Sequence, residues 1–280
     1  MRIILFIALM FFGLQSFACE VSEPVEVKYG DHRQQNVVFY QAKSDKPTPV
    51  VFYVHGSHYQ GGDTIDFLEH GISVVTVHYR TVPSSIRDNI ELPVKASMDD
   101  VVRALQFVRS KAADWNVDKT RIGITGGTRG GLLSLWLAFH DDMADAKSDD
   151  PVARESTRLY CAAVIDGLVT LDPQELRQLM PDYDNRSTAY YFRLTDFQSL
   201  IDNRAKILPV IKEYSPIEHV TMDDPPIAIF YGEKKPAVAM GDKLEKRLKD
   251  AGVDVVRILP DQDDSAYQNA TEYLIDRLLK

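Results

Sequence analysis

The chain has 280 residues, 45% hydrophobic and 26% charged, with a formal net charge of -9. That composition belongs to a globular protein with enough chain for one large α/β domain or two small ones. The negative balance argues against nucleic acid or an anionic membrane as the main partner, and no basic run or basic-aromatic stripe offsets it.

The first eighteen residues stand apart. Arg2 precedes an apolar run from Ile3 to Gly13, and Ser16-Phe17-Ala18 places small residues where a signal peptidase inspects them. The expectation is a secretory signal peptide over residues 1–18, cleaved after Ala18, with a single domain over 19–280. The run is shorter than the roughly 20 residues a membrane span needs, so no transmembrane segment is expected in the mature chain. Cleavage would leave Cys19 first, as in a bacterial lipoprotein, but bulky Phe17 fits that signal poorly, and the expected location is secreted or periplasmic. Cys19 and Cys161 could pair after export, although Cys161 within "YCAAVI" reads as a buried strand thiol. Sequons occur at Asn185 and Asn269.

Beyond the signal, "VEVKYG" and "NVVFYQAK" alternate like an antiparallel hairpin at a sheet edge. Val50–Val54 and Ser73–Val77 are continuously apolar, as strands covered on both faces are. Val101, Leu105, Val108 and Ala112 are spaced to line one face of a helix. "RIGIT" is a strand, Gly130–Phe139 a helix, and "CAAVID" and "PPIAIFYG" are strands. Lys243–Lys249 is a charged helix closed by Gly252, followed by the strand "VDVVRIL" and an amphipathic helix ending at Leu279. The alternation predicts a mostly parallel sheet with helices on both faces. Between 168 and 219 helical patterns follow one another without strands, and the expectation there is a cap-like insertion over the strand ends.

Within this order, Ile122–Gly131, "IGITGGTRGG", carries a strand into a glycine-framed turn and then a helix. Together with "YVHGSHYQGG", "VVTVHYR", the helix "MDDVVRALQFVRSKAADWNVDKTRIGITGG" and "SPIEHVTMDDPPIAIFYG", it resembles the α/β-hydrolase superfamily, in its hormone-sensitive-lipase-like and feruloyl-esterase-like branch. The resemblance runs from about Pro47 to the C-terminus and implies an α/β-hydrolase fold. It also implies a nucleophile elbow at the turn, where Gly126 and Gly130 flank a strained apex and Gly131 lets the helix pack closely. A phosphate-holding turn is disfavoured because no Gly-Lys-Ser/Thr follows.

The residues the family uses for catalysis are replaced. The resemblance places Thr128 at the nucleophile position, Lys235 at the acid position and Asp264 at the base position, where the family has serine, an acid and histidine. No histidine follows His219. A carboxylate of ordinary pKa near 4 is a poor acceptor for an alcohol proton near neutral pH. Loss of nucleophile or base costs a serine hydrolase roughly a millionfold in turnover. In the oxyanion loop the pattern is His55-Gly56-Ser57-His58-Tyr59, so Ser57 and His58 put side chains where the family has glycines. Lys235 and Asp264 are expected to form a salt bridge in place of the acid-histidine contact.

Arg129 follows the apex at a helix N-terminus. There a guanidinium, free N–H groups and the helix dipole favour an anion; the alternatives are that it points into solvent or pairs with Asp166. Of the histidines, His58 is the one expected to face the cleft, while His55, His78 and His219 belong to scaffold motifs and His32, His70 and His140 to loops or helix ends. No histidine pair has the spacing of a zinc helix, so neither a metal site nor a cofactor is expected.

The leading expectation is therefore a secreted, esterase-like pseudoenzyme that binds a small-molecule ligand, anionic or ester- or sugar-like, through Gly56, Ser57, His58 and Arg129. One alternative is a weakly active carboxylic-ester hydrolase using Thr128 or Ser57 with a non-standard base such as His58. The other is a structural or interaction protein whose cleft has collapsed.

Overall fold

The computed structural model describes residues 23–55, 62–232, 235–259 and 266–280, with the backbone only at 62–63 and 235–236. Its strands are β1 (Val25–Lys28), β2 (Asn36–Tyr40), β3 (Thr48–Val54), β4 (Ser73–Val77), β5 (Val117–Gly127), β6 (Cys161–Ile165), β7 (Ile227–Phe230) and β8 (Val255–Ile258). They form one sheet in the order β1-β2-β4-β3-β5-β6-β7-β8. β1 and β2 are antiparallel to their neighbours, and the remaining pairs are parallel. This is the α/β-hydrolase architecture, a mostly parallel sheet with helices on both faces.

The helices interleaved with the strands are α1 (Gly62–Glu69), α2 (Val82–Arg87), α3 (Pro93–Ser110), α4 (Arg129–Phe139), α5 (Pro173–Leu179), α6 (Arg186–Tyr190), α7 (Phe197–Glu213), α8 (Lys235–Ala251) and α9 (Ala266–Leu278). Strand side chains alternate between faces, and β3 shows how both are covered. Val50, Phe52 and Val54 enter the core shared with Val101, Leu105 and Val108 of α3 and Leu132 and Leu135 of α4. Val51 enters the opposite core with Phe67 of α1 and Leu274 and Leu278 of α9. All seven residues of β3 are buried, which is why the strand reads as an unbroken apolar run.

Two boundaries differ from the sequence pattern. α3 ends at Ser110, leaving Ala112 in the following turn, where Asn116 takes a positive φ of 51° before β5. α8 starts at Lys235 rather than Lys243. Pro236 does not block that earlier start, because the first helical turn has no intrahelical acceptor for its N–H groups.

Between β6 and β7 the chain forms α5, α6, α7 and a 3-10 turn at Pro216–Glu218. The three α-helices begin on capping side chains: Asp172 accepts from Gln174 N–H, Asn185 from Ser187 N–H, and Asp196 from Ser199 N–H in a reciprocal capping box. Asp172 also takes a two-point bond from Arg204 of α7, at 2.7 and 2.6 Å. Burial works to raise the Asp172 carboxyl, but the Arg204 guanidinium and the Gln174 N–H outweigh it and hold the group below the usual carboxylate range.

The other closely held carboxylate joins α3 to the end of β4. Asp100 is 1% exposed. It accepts from the Arg80 backbone N–H at 2.7 Å, from Arg80 Nη2 at 2.6 Å and from Gln35 Nε2 at 2.7 Å. This fixes the corner that carries Tyr79 towards the strand ends. Removing the carboxylate leaves Arg80 without its hydrogen-bonded partner in a half-buried place, and breaking such a pair costs about 3–5 kcal/mol. Asp100→Ala is expected to lower unfolding stability by that amount in urea titration, with the m-value unchanged.

Candidate ligand cleft at the strand-to-helix elbow

β3 lies between β4 and β5, so successive connections leave it in opposite directions along the sheet. A crevice opens at such a switch point, beyond the C-terminal ends of the strands. Thr128 directly follows β5 there, Asp166 follows β6 and His55 follows β3.

Thr128 sits at φ 53° and ψ -107°, a conformation that a β-branched residue adopts only under strain. Its N–H donates to Ile165 O of β6 at 2.9 Å, and its carbonyl accepts the Leu132 N–H of α4 at 3.0 Å. The bend is possible because β3 and α4 touch through glycine. A Cβ on Gly126 would lie 2.7 Å from Val54 O, and one on Gly130 would collide with the same carbonyl. Gly131 meets Gly167 and Ile165 O at 2.9 Å in the same sense. Gly127 has a further constraint that motif reading does not reveal: a Cβ there would strike the hydroxyl of Tyr267 on α9.

Above the elbow are two adjoining cavities. The larger, about 300 Å³, is lined by Thr128, Arg129, Asp166, Tyr183, Asn185, Thr188 and Tyr191, among others. The smaller, about 150 Å³, is lined by His55, Tyr79, Thr81, Ser97, Arg129 and Tyr191, among others. Arg129 and Tyr191 border both. Tyr183, Asn185, Thr188 and Tyr191, on the segment where the sequence pattern lacks strands, thus share a cavity with Thr128 and Asp166.

The electrostatics of the cleft follow from burial. Burial pushes the Tyr191 hydroxyl up to about 12, with Arg129 pulling in the opposite sense. Tyr79 is raised for the same reasons, and its hydroxyl donates to His55 O at 2.9 Å. Tyr183, also raised by burial, shares a 2.7 Å hydrogen bond with Thr188. These phenols are neutral hydrogen-bonding groups at neutral pH. Asp166 stands at a positive φ of 47°. Its carboxyl is raised by burial, against a 3.1 Å bond from the Gly232 N–H.

Arg129 is exposed. It makes no hydrogen bond or ion pair with any described residue, Asp166 included. It stands on the first turn of α4, where N–H groups lack intrahelical partners. The cleft thus holds a cation unpaired among the described residues, neutral phenols, the Asp166 carboxyl and, at Thr128, a hydroxyl.

Gly56, Ser57, His58 and Asp264 lie outside the described residues, and so does the side chain of Lys235, so the expected Lys235–Asp264 tie does too. Lys235 opens α8. His55 stacks on Tyr79 with ring centroids 5.1 Å apart and borders the smaller cavity, whereas Thr128 borders the larger. Among the described residues there is no Ser–His–Asp arrangement.

The BD-FAE family model matches residues 37–248, most of the chain. The chain belongs to the BD-FAE family. The chain is 25% identical over 224 residues to Esterase LipC of Mycobacterium tuberculosis, covering 74% of this chain and 50% of the relative. A shorter stretch of 98 residues is 36% identical to Carboxylesterase NlhH of the same organism, covering 32% of this chain and 28% of the relative. The chain spans about half the length of the first of these curated relatives. Among solved structures, an acetyl ester-xyloside bifunctional hydrolase from Caldicellulosiruptor lactoaceticus superposes with a TM-score of 0.69 at 19% identity, over 90% of this chain and 94% of that one. Propionate-bound esterase 2 of Thermogutta terrifontis gives 0.64 at 20% identity, over 91% and 93%. At these identities the likeness is one of fold. This BD-FAE protein shares the fold of those esterases and shows no serine triad among the described residues.

Tyr191 escaped the sequence reading because nothing local marks it as a cleft residue; Asp166 entered it only as a partner for Arg129 and Tyr79 only within a motif, and packing brings all three to the cavities above the elbow. The groove between Val54 and α4 sets the tolerance of the elbow. Gly130→Ala is expected to lower stability by about 3 kcal/mol through overpacking against β3. Thr128→Gly is expected to raise it by about 1 kcal/mol, strain relief exceeding the added chain entropy. Chemical denaturation of the two variants beside wild type checks both signs.

Proposed function

We propose that this protein is an exported member of the hormone-sensitive-lipase-like and feruloyl-esterase-like branch that binds a small carboxylate, or an ester- or sugar-linked acyl group, over the elbow. Turnover at serine-hydrolase rates is not its role. Arg129 carries the proposal: it is a cation without an ion-pair partner among the described residues, placed at the start of α4 and bordering both cavities. Evolution of the nucleophile position to threonine, with no histidine after His219, removes the reaction while leaving the strand-end crevice. The open volume of about 300 Å³ supports binding over a collapsed cleft. The propionate bound by the Thermogutta terrifontis esterase supports a short carboxylate as the first ligand to try. Export rests on residues 1–18, and N-terminal sequencing of the secreted protein is expected to begin at Cys19; a retained Met1 would count against it.

A second reading draws on Asp166. Its carboxyl borders the same cavity as Thr128 and is raised above the ordinary range by burial, which makes its ionised form a better proton acceptor than an exposed aspartate. Slow ester cleavage by Thr128 would then increase as pH rises through that raised pKa.

Propionate titrated into the mature protein is expected to bind, and Arg129→Met to weaken it about tenfold or more, the scale of a lost charge-assisted hydrogen bond. With p-nitrophenyl acetate, wild type and Thr128→Ala are expected to match the buffer blank. Turnover by wild type that Thr128→Ala abolishes would replace the binding role with the second reading. Equal propionate binding by wild type and Arg129→Met would remove Arg129 from the site.

A further inference from the structure

The far end of α4 carries a group of side chains that the cleft does not use. His140 caps the C-terminus of α4, Glu213 ends α7, and His219 follows the 3-10 turn. One donor atom from each lies within 4.8 Å of the other two. At 1.5 Å per residue, the eleven residues of α4 put this group about 16 Å from the elbow.

The hydrogen bonds around the rings give the group its chemistry. Glu213 O lies 2.7 Å from His219 Nε2 and accepts the Trp136 Nε1–H at 2.8 Å. A backbone carbonyl can only accept, so His219 carries its proton on Nε2 and its lone pair on Nδ1 when neutral. His140 Nδ1 lies 3.2 Å from Asp141 O, and the same reasoning leaves its lone pair on Nε2. That nitrogen faces Glu213 Oε1 at 3.6 Å, too far for a good hydrogen bond. Tying one ring N–H to a carbonyl while the other nitrogen stays basic is how metal-binding histidines are oriented.

The spacing agrees. Bonds of about 2.0–2.2 Å to a tetrahedral ion set neighbouring donors roughly 3.4 Å apart. The His140–Glu213 pair, at 3.6 Å, is already near that separation. The two imidazole rings are 4.7 Å apart between centroids. Both histidines are half-buried and Glu213 is exposed, so an ion can enter from solvent and keep water in its remaining position.

We propose that His140, Glu213 and His219 form a binding site for a divalent transition-metal ion of the zinc class. Two imidazoles and a carboxylate suit zinc, nickel and copper and disfavour magnesium and calcium. The ion joins the C-terminal end of the elbow helix to the end of α7, the longest helix between β6 and β7. Its role is to clamp that segment onto the body of the protein, remote from the cleft and without part in the reading of Arg129.

The test uses the mature protein stripped with EDTA and then titrated with zinc chloride. Calorimetry is expected to show one ion per chain bound at this site, and zinc is expected to raise Tm whereas magnesium is not. His140→Ala and His219→Gln are each expected to weaken zinc binding by about a hundredfold or more, the upper end of what even a ligand-orienting partner contributes. His219→Gln keeps a side-chain N–H for Glu213 O, so it separates loss of a ligand from loss of that hydrogen bond. Trp136 supplies a local signal, its ring being 4.6 Å from that of His140. Copper is expected to quench Trp136 emission in wild type and not in His219→Gln. Absence of zinc uptake by wild type, or uptake unchanged in both histidine variants, overturns the proposal and leaves His140 and Glu213 as a surface ion pair.

Discussion

The contact on which this molecule depends is the approach of α4 to the carbonyl of Val54 at the end of β3. Two glycines, Gly126 and Gly130, make that approach possible. Once α4 is seated there, β5 must turn sharply into it, and Thr128 is left in a conformation that its branched side chain resists. The N–H of Thr128 is held by β6, so the turn cannot relax without disturbing the centre of the sheet. The buried strands on either side, with their shared cores, supply the rigidity that maintains the strain.

In serine esterases the same kind of turn carries the nucleophile. A serine elbow holds a hydroxyl up to a base, whereas here it holds Thr128 beside Asp166, with Arg129 next in the chain. The environment is one of buried neutral phenols and a single guanidinium that no described group neutralises. That guanidinium, exposed and bordering both cavities, is the group that the proposed anion or acyl oxygen would meet. The proton-transfer partner that an alcohol nucleophile needs is much less well provided.

α4 also connects the two ends of the protein. Its N-terminus forms the floor of both cavities, and its C-terminus packs through Trp136 and His140 against the close of α7 and the 3-10 turn. The residues that line the larger cavity with Thr128 and those that meet His140 include side chains from the same stretch between β6 and β7. A bond at the far end of α4 therefore bears on how firmly that stretch is held, although it touches neither Thr128 nor Arg129.

Much of this was legible in the residues. Continuous apolar runs such as Val50–Val54 marked strands covered on both faces, because a strand between two helical layers has no solvent side. The glycines at 126, 130 and 131 marked the elbow, because a close backbone approach excludes any Cβ whatever the surroundings. Absence of histidine after His219 needed no structure at all. By contrast, the start of α8 at Lys235 was hidden, since proline in a first helical turn resembles a helix break. Tyr191 and the Tyr267 hydroxyl over Gly127 were hidden because they lie far in sequence from the elbow residues and reach them only through packing. His140, Glu213 and His219 were hidden for the same reason: a spacing rule finds ligands on one helix, not ligands delivered by three elements. Local sequence determined the elements and the elbow, whose requirements are satisfied by neighbouring residues. Tertiary structure decided which polar groups share a cavity, because that depends on where the chain returns to itself.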